Sequence, residues 1–261
     1  MIKPNLLIFG DSFVSEYRDP SRETSELCKG MYTFYDKLAE SGLFSSIKNL
    51  GSAGSNFWYS YQKFKKEYNP KTNFVLWAVT YPGRITNSRF GHVPSYLDAE
   101  YKLKNFKIEK EKHMVGMSDE SYQEHLTFFT AARDYFLYLH DDEYSRWAQH
   151  LMIESILKNE LTDNFLILPC YHQSLPSNIQ PKNPLIEIFN FENKHLGIAE
   201  YSETLEKYTD IRCNHITEEN HKILGKNILD HILQKKTILD INIKDFIKPT
   251  KDDIAKYLIN K

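Results

Sequence analysis

Apolar residues concentrate in four short stretches, Leu6–Phe9, Ile47–Leu50, Phe74–Val79 and Phe165–Leu168, each bounded by polar or turn residues. Short apolar stretches of this kind fit strands covered on both faces, the habit of parallel sheets. Between them the pattern changes to a helical period. Met31, Phe34, Tyr35, Leu38 and Ala39 fall on one face of a helix over 31–40, with Gly42 as its C-cap. A second helix is expected over Phe57–Tyr68, closing at Asn69-Pro70. The order strand–helix–strand–helix–strand predicts an α/β sandwich with right-handed crossovers.

About 85 residues separate the third and fourth strands, far more than one crossover needs. Helices over Glu120–Leu139 and Glu143–Leu161 fill the second half, carrying Leu126, Phe129, Phe136, Trp147, Leu151, Ile156 and Leu157. Residues 83–117 read as irregular, polar and aromatic, suited to a lid or pocket wall, and the lysines and glutamates of 102–112 as a solvated helix face. A turn-rich loop over 169–184 follows the fourth strand. The last long helix starts near Thr217, with Glu218 and Glu219 in its first turn, and turns Ile223, Leu224, Ile228, Ile232 and Leu233 inward. The expected organisation is one domain over 1–236 with a helical insertion over 84–160. A C-terminal extension over 237–261, with a short strand and a helix over 251–259 capped by Thr250, packs on that domain.

Composition narrows the partners. With 41% hydrophobic and 26% charged residues and a formal charge of -2, the 261-residue chain has no electrostatic case for nucleic acid or an anionic membrane. No stretch approaches the ~18 apolar residues of a spanning helix. Three widely spaced cysteines, Cys28, Cys170 and Cys213, form no CxxC pair and no zinc pattern. Free thiols and a start without secretory design point to the cytoplasm. Neither a metal nor a cofactor is expected, since His215 and His221 in "HITEENH" lack the HExxH spacing.

Chemistry collects at strand ends. "LLIFGDSFVSE" breaks from a strand into Gly10-Asp11-Ser12, where a serine hydroxyl and backbone N–H groups can share one space. Ser, Asp and Gly are also common turn and cap residues. The second strand ends in Gly51-Ser52-Ala53-Gly54-Ser55-Asn56, which has no GK[ST] and is too short for a dinucleotide fingerprint. In a parallel sheet this loop lies beside the first turn, and a glycine N–H there can serve an oxyanion. A serine nucleophile needs a base; of ten histidines, His215 is best placed, in the loop before the last helix.

Together these blocks resemble the SGNH/GDSL hydrolases: Gly10-Asp11-Ser12, then Asn49-x-Gly51-x-x-Gly54, then His215 before the closing helix, over roughly residues 5 to 235. The resemblance implies a flavodoxin-like three-layer α/β/α fold and ester hydrolysis through an acyl-enzyme. Ser12 would attack, His215 would relay the proton, and the N–H groups of Ser12 and Gly54 would hold the oxyanion. Two positions depart from the family. Where it has an asparagine after the third strand, "WAVTYPGR" offers Thr80, whose hydroxyl can stand in as an oxyanion donor. Where it has an aspartate three residues before the histidine, this chain has Arg212, leaving Asp210 to orient His215. Asp11, which is also expected to brace the turn, and Asn56, Tyr81, Arg84 and His172 are candidates for lining the substrate site. The expected activity is hydrolysis of a small acyl ester, such as an O-acetyl group on a carbohydrate or metabolite. The alternatives are an acyltransferase using the same site and a catalytically impaired, hydrolase-like binding module for a carbohydrate or other ligand.

Overall fold

The structure is a computed structural model that describes residues 3–15, 32–93, 95–112, 117–159, 164–170, 189–191, 194–196 and 218–234. The elements run β1 (Asn5–Phe9), α1 (Phe34–Glu40), β2 (Ser46–Asn49), α2 (Phe57–Glu67), β3 (Asn73–Val79), β4 (Ile85–Asn87) and β5 (Gly91–Val93). Then follow α3 (Tyr96–Lys112), α4 (Asp119–Tyr138), α5 (Asp142–Asn159), β6 (Phe165–Pro169), β7 (Phe189–Phe191), β8 (Lys194–Leu196) and α6 (Glu218–Gln234).

Among the described residues four strands form one parallel sheet in the order β2-β1-β3-β6. The sequence explains the order of burial. Every residue of β3 is buried, which suits an interior strand of unbroken apolar character, whereas β2 alternates half-buried and exposed positions and lies at the edge. Alternate side chains serve opposite faces. Leu6, Ile8, Leu76, Ala78, Leu166 and Leu168 pack against Phe34 and Leu38 of α1 and Leu224 and Ile228 of α6. Leu7, Phe9, Val75, Trp77 and Ile167 pack against Phe57 and Phe64 of α2 and Ile153 and Ile156 of α5. The sheet is thus flanked by helices on both faces, and burying each large apolar side chain contributes roughly 1.5–3 kcal/mol. Because β1 is joined to β2 on one side and β3 on the other, the chain changes direction across the sheet between β1 and β3, where α/β proteins bind ligands beyond the carboxyl ends of the strands.

Several expectations shift. Residues 83–117, read as irregular apart from the helix face over 102–112, hold the β4–β5 hairpin and a 17-residue helix that starts earlier, at Tyr96. Across 96–106 only Ala99 and Leu103 of α3 are buried, a stripe too narrow to stand out among its lysines and glutamates. These two pack with Val93, Phe129 and Ala132 in a separate small core between α3, α4 and β5. Helix α5, assigned to an insertion, covers the sheet itself through Ile153 and Ile156. Its Trp147 and Leu151 point outward, 55% and 43% exposed, as does Trp58 at 52%. Only Trp77 of the three tryptophans is core. On α6, Leu224 and Ile228 are buried but Leu233 is exposed. The start of the last helix at Thr217, most of the 169–184 loop and the extension over 237–261 lie outside the described residues. Among the described residues no helix is long and apolar enough to cross a membrane.

Candidate functional site

Strands β1, β3 and β6 end side by side, and each hands the next residues to one cluster. Asp11 follows β1, Thr80 follows β3 and Cys170 follows β6. Asp11 is fully buried. A buried carboxylate must be paired and hydrogen-bonded to be tolerated, and both of its oxygens are. Oδ2 accepts from the Thr80 hydroxyl at 2.7 Å and lies 2.8 Å from Nη1 of Arg84, itself only 6% exposed. Oδ1 accepts from the Phe13 N–H at 3.1 Å and from the Cys170 thiol at 3.7 Å. The Asp11 carbonyl accepts from the amides of Val14 and Ser15, closing the turn that holds Ser12 part-exposed at the sheet rim.

The glycine-rich loop after β2 is fastened onto this turn. Ser52 N–H donates to the Gly10 carbonyl at 3.0 Å, and the Ser55 hydroxyl reaches the same oxygen at 3.3 Å. Asn49 links the two from the other side: its amide donates to the Val14 carbonyl, and its Oδ1 accepts from Gly51 N–H at 3.0 Å. Glycine is required at one of these places. At Gly10 φ is +147°, and a Cβ would sit 2.6 Å from the Ala78 carbonyl oxygen. Gly10→Ala is therefore expected to destabilise by about 3 kcal/mol or more. Gly91→Ala is the control: φ there is +84° but a Cβ meets nothing within 4 Å, so about 1 kcal/mol is expected. Urea unfolding of the two variants checks the difference.

A third segment, the β4–β5 hairpin, lies over the loop. Thr86 Oγ1 accepts from Asn56 N–H at 3.0 Å and is 3.1 Å from Nδ1 of His92, whose Nε2 is 3.3 Å from the Ser52 hydroxyl. The imidazole also meets the Tyr59 ring edge-on at 5.3 Å. Burial, reinforced by the positive charges of Lys102 and Arg84, holds the His92 pKa below the usual imidazole range, so the ring is neutral at pH 7. Sequence reasoning passed over His92, which sits in a stretch with no periodic signal and no sequence link to the glycine loop.

The expected site residues divide as follows. Ser12 and Gly54 stand on the two turns that hydrogen bonds join, Gly54 with φ +74°. Thr80 does not present its hydroxyl hydrogen to an oxyanion: a buried carboxylate is a stronger acceptor, and the hydrogen goes to Asp11. Its carbonyl accepts from Gln149 of α5 at 3.0 Å. Asp11 and Arg84 face each other in the interior rather than a substrate. Asn56 caps α2 by accepting from Tyr59 N–H, and its amide donates to the Arg84 carbonyl. The Tyr81 hydroxyl donates to Asp142, which also pairs with His140 at 2.8 Å. Burial and the Asp142 carboxylate push the Tyr81 pKa up to about 12, and the Tyr81 hydrogen bond with that from His140 holds Asp142 below its usual range. Asp141 and Asp142 open α5, with Asp141 accepting from Tyr144 N–H. His172, Asp210 and His215 lie outside the described residues. Among those described, no group of three or more His, Cys, Asp or Glu side chains is arranged to hold a metal ion. No family model matches the chain, and neither a curated protein nor a solved structure does.

Proposed function

We propose that the protein is a serine esterase of SGNH type, with a flavodoxin-like three-layer fold, that hydrolyses a small acyl ester. One observation carries the reading: the turn bearing Ser12 is hydrogen-bonded to the glycine loop bearing Gly54, at the rim formed by the carboxyl ends of β1 and β2. In this reading Ser12 Oγ attacks the ester carbonyl while His215 removes its proton. The N–H groups of Ser12 and Gly54 hold the oxyanion, and collapse expels the alcohol, which takes the proton back from His215. Water then hydrolyses the acyl-enzyme by the same steps in reverse. Asp210 orients the imidazole. Asp11 and Arg84 act beneath the site, fixing the turn, and Thr80 belongs to that support. An oxyanion held by two backbone amides without a side-chain donor gives up on the order of a hundredfold in rate relative to three donors.

That deficit favours a second reading, a ligand-binding module built on the same frame. A fluorophosphonate probe separates the two, because it labels only a serine made nucleophilic by its surroundings. Mass mapping is expected to find the label on the peptide containing Ser12. A chain that stays unlabelled there while binding a carbohydrate overturns the esterase in favour of the module. An acyltransferase would label as well, and is distinguished by an alcohol acceptor outcompeting water.

A further inference from the structure

We propose that His92 is the wall of the acyl pocket and restricts the substrate to esters of two- or three-carbon acids. The inference rests on the serine-esterase reading above and adds to it a specificity-determining residue from outside the three sequence blocks. In that reading the carbonyl oxygen points at the Gly54 amide, so the acyl substituent lies within a few bonds of the Gly54 backbone. On the side where a Cβ would point, the neighbour of that backbone among the described residues is His92. A Cβ at Gly54 would come within 3.1 Å of the His92 Cβ and 3.9 Å of its Cγ.

The wall is fixed. Nδ1 is held at Thr86 and Nε2 at Ser52, on two different segments, and the Tyr59 ring backs the imidazole from α2. Thr86 is itself anchored by the Asn56 amide. The Lys102 ammonium donates to the His92 carbonyl from α3, tying down the backbone as well. Displacing the ring would break bonds on both nitrogens at once, so a longer chain meets a rigid obstacle rather than a side chain free to change rotamer. Each methylene that a pocket cannot accept is worth roughly 10- to 200-fold in kcat/KM.

The test is the ratio of kcat/KM for p-nitrophenyl acetate to that for the butyrate and octanoate esters, in the wild type, His92→Ala and His92→Phe, with Ser12→Ala as background. The wild type is expected to favour acetate over butyrate by tenfold or more. His92→Ala should reduce that preference at least tenfold, and His92→Phe, which restores bulk without ring nitrogens, should keep it. Thermal melts establish that both variants are folded; if His92→Ala is not, Thr86→Val, which releases one anchor of the ring, should weaken the preference in the same direction. Serine-dependent hydrolysis with an unchanged ratio in the opened variant, or a wild type indifferent to chain length, overturns the wall and leaves the esterase standing. No hydrolysis above the Ser12→Ala background in the wild type overturns the esterase and the wall with it.

Discussion

Replacement of Ser12 by alanine is expected to lower kcat for p-nitrophenyl acetate by about 10⁴-fold or more. The size follows from the role: without an oxygen nucleophile no acyl-enzyme forms, and two backbone amides alone cannot replace that step. Stability should hardly change. The backbone of the turn is fixed by its neighbours, through Asp11 and the Gly10 carbonyl, and not by the Ser12 hydroxyl alone. A hydrogen bond of ordinary strength is worth about 1 kcal/mol, or roughly 2–4 °C in Tm for a chain of this size. Hydrolysis retained in a Ser12→Ala protein with an unaltered melt would remove the basis for the proposed activity.

The second large effect is structural. Arg84→Met is expected to cost about 3–5 kcal/mol, because it leaves the Asp11 carboxylate buried without its counter-charge. At roughly 2–4 °C per kcal/mol, Tm falls by on the order of 10 °C. Asp11→Asn alone strands the guanidinium in the same way. The double variant Asp11→Asn/Arg84→Met should recover a substantial part of the loss, since neither isolated charge remains; replacement of a whole buried pair is commonly near neutral. A double-mutant cycle measured by urea unfolding reads the coupling directly. Additive losses would show that the two side chains do not act as a pair. Activity should fall along with stability in each single variant, because the turn carrying Ser12 rests on Asp11.

The sheet was legible because its interior strands are bare apolar stretches: 74–79 reads as a buried strand and β3 is buried throughout. Helices with a broad stripe, such as 57–68, were equally plain. The start of helix α3 was hidden because a helix packed on a small local core needs few apolar positions, and the two residues buried across 96–106 are lost among charges. Trp147 and Leu151 misled in the opposite sense, since an apolar residue on a helix need not face the core. At the site, the serine turn and the glycine loop announced themselves by residue type. The Asp11–Arg84 pair did not, because one aspartate in a turn and one arginine in a loop carry no spacing that joins them. Thr80 was read by its position after the strand, whereas its hydroxyl answers to the strongest acceptor within reach.

The cage around Asp11 also bears on the order in which the molecule becomes native. Its partners are 69 residues away at Thr80 and 159 residues away at Cys170. Closing loops of such length costs chain entropy before any contact repays it, so contacts of this separation form late in folding. Helix α1 and the first strands can form from nearby sequence, but the carboxylate cannot be compensated until β3 and β6 have docked. The turn that bears Ser12 lies early in the sequence, yet it is among the last places to acquire its native surroundings.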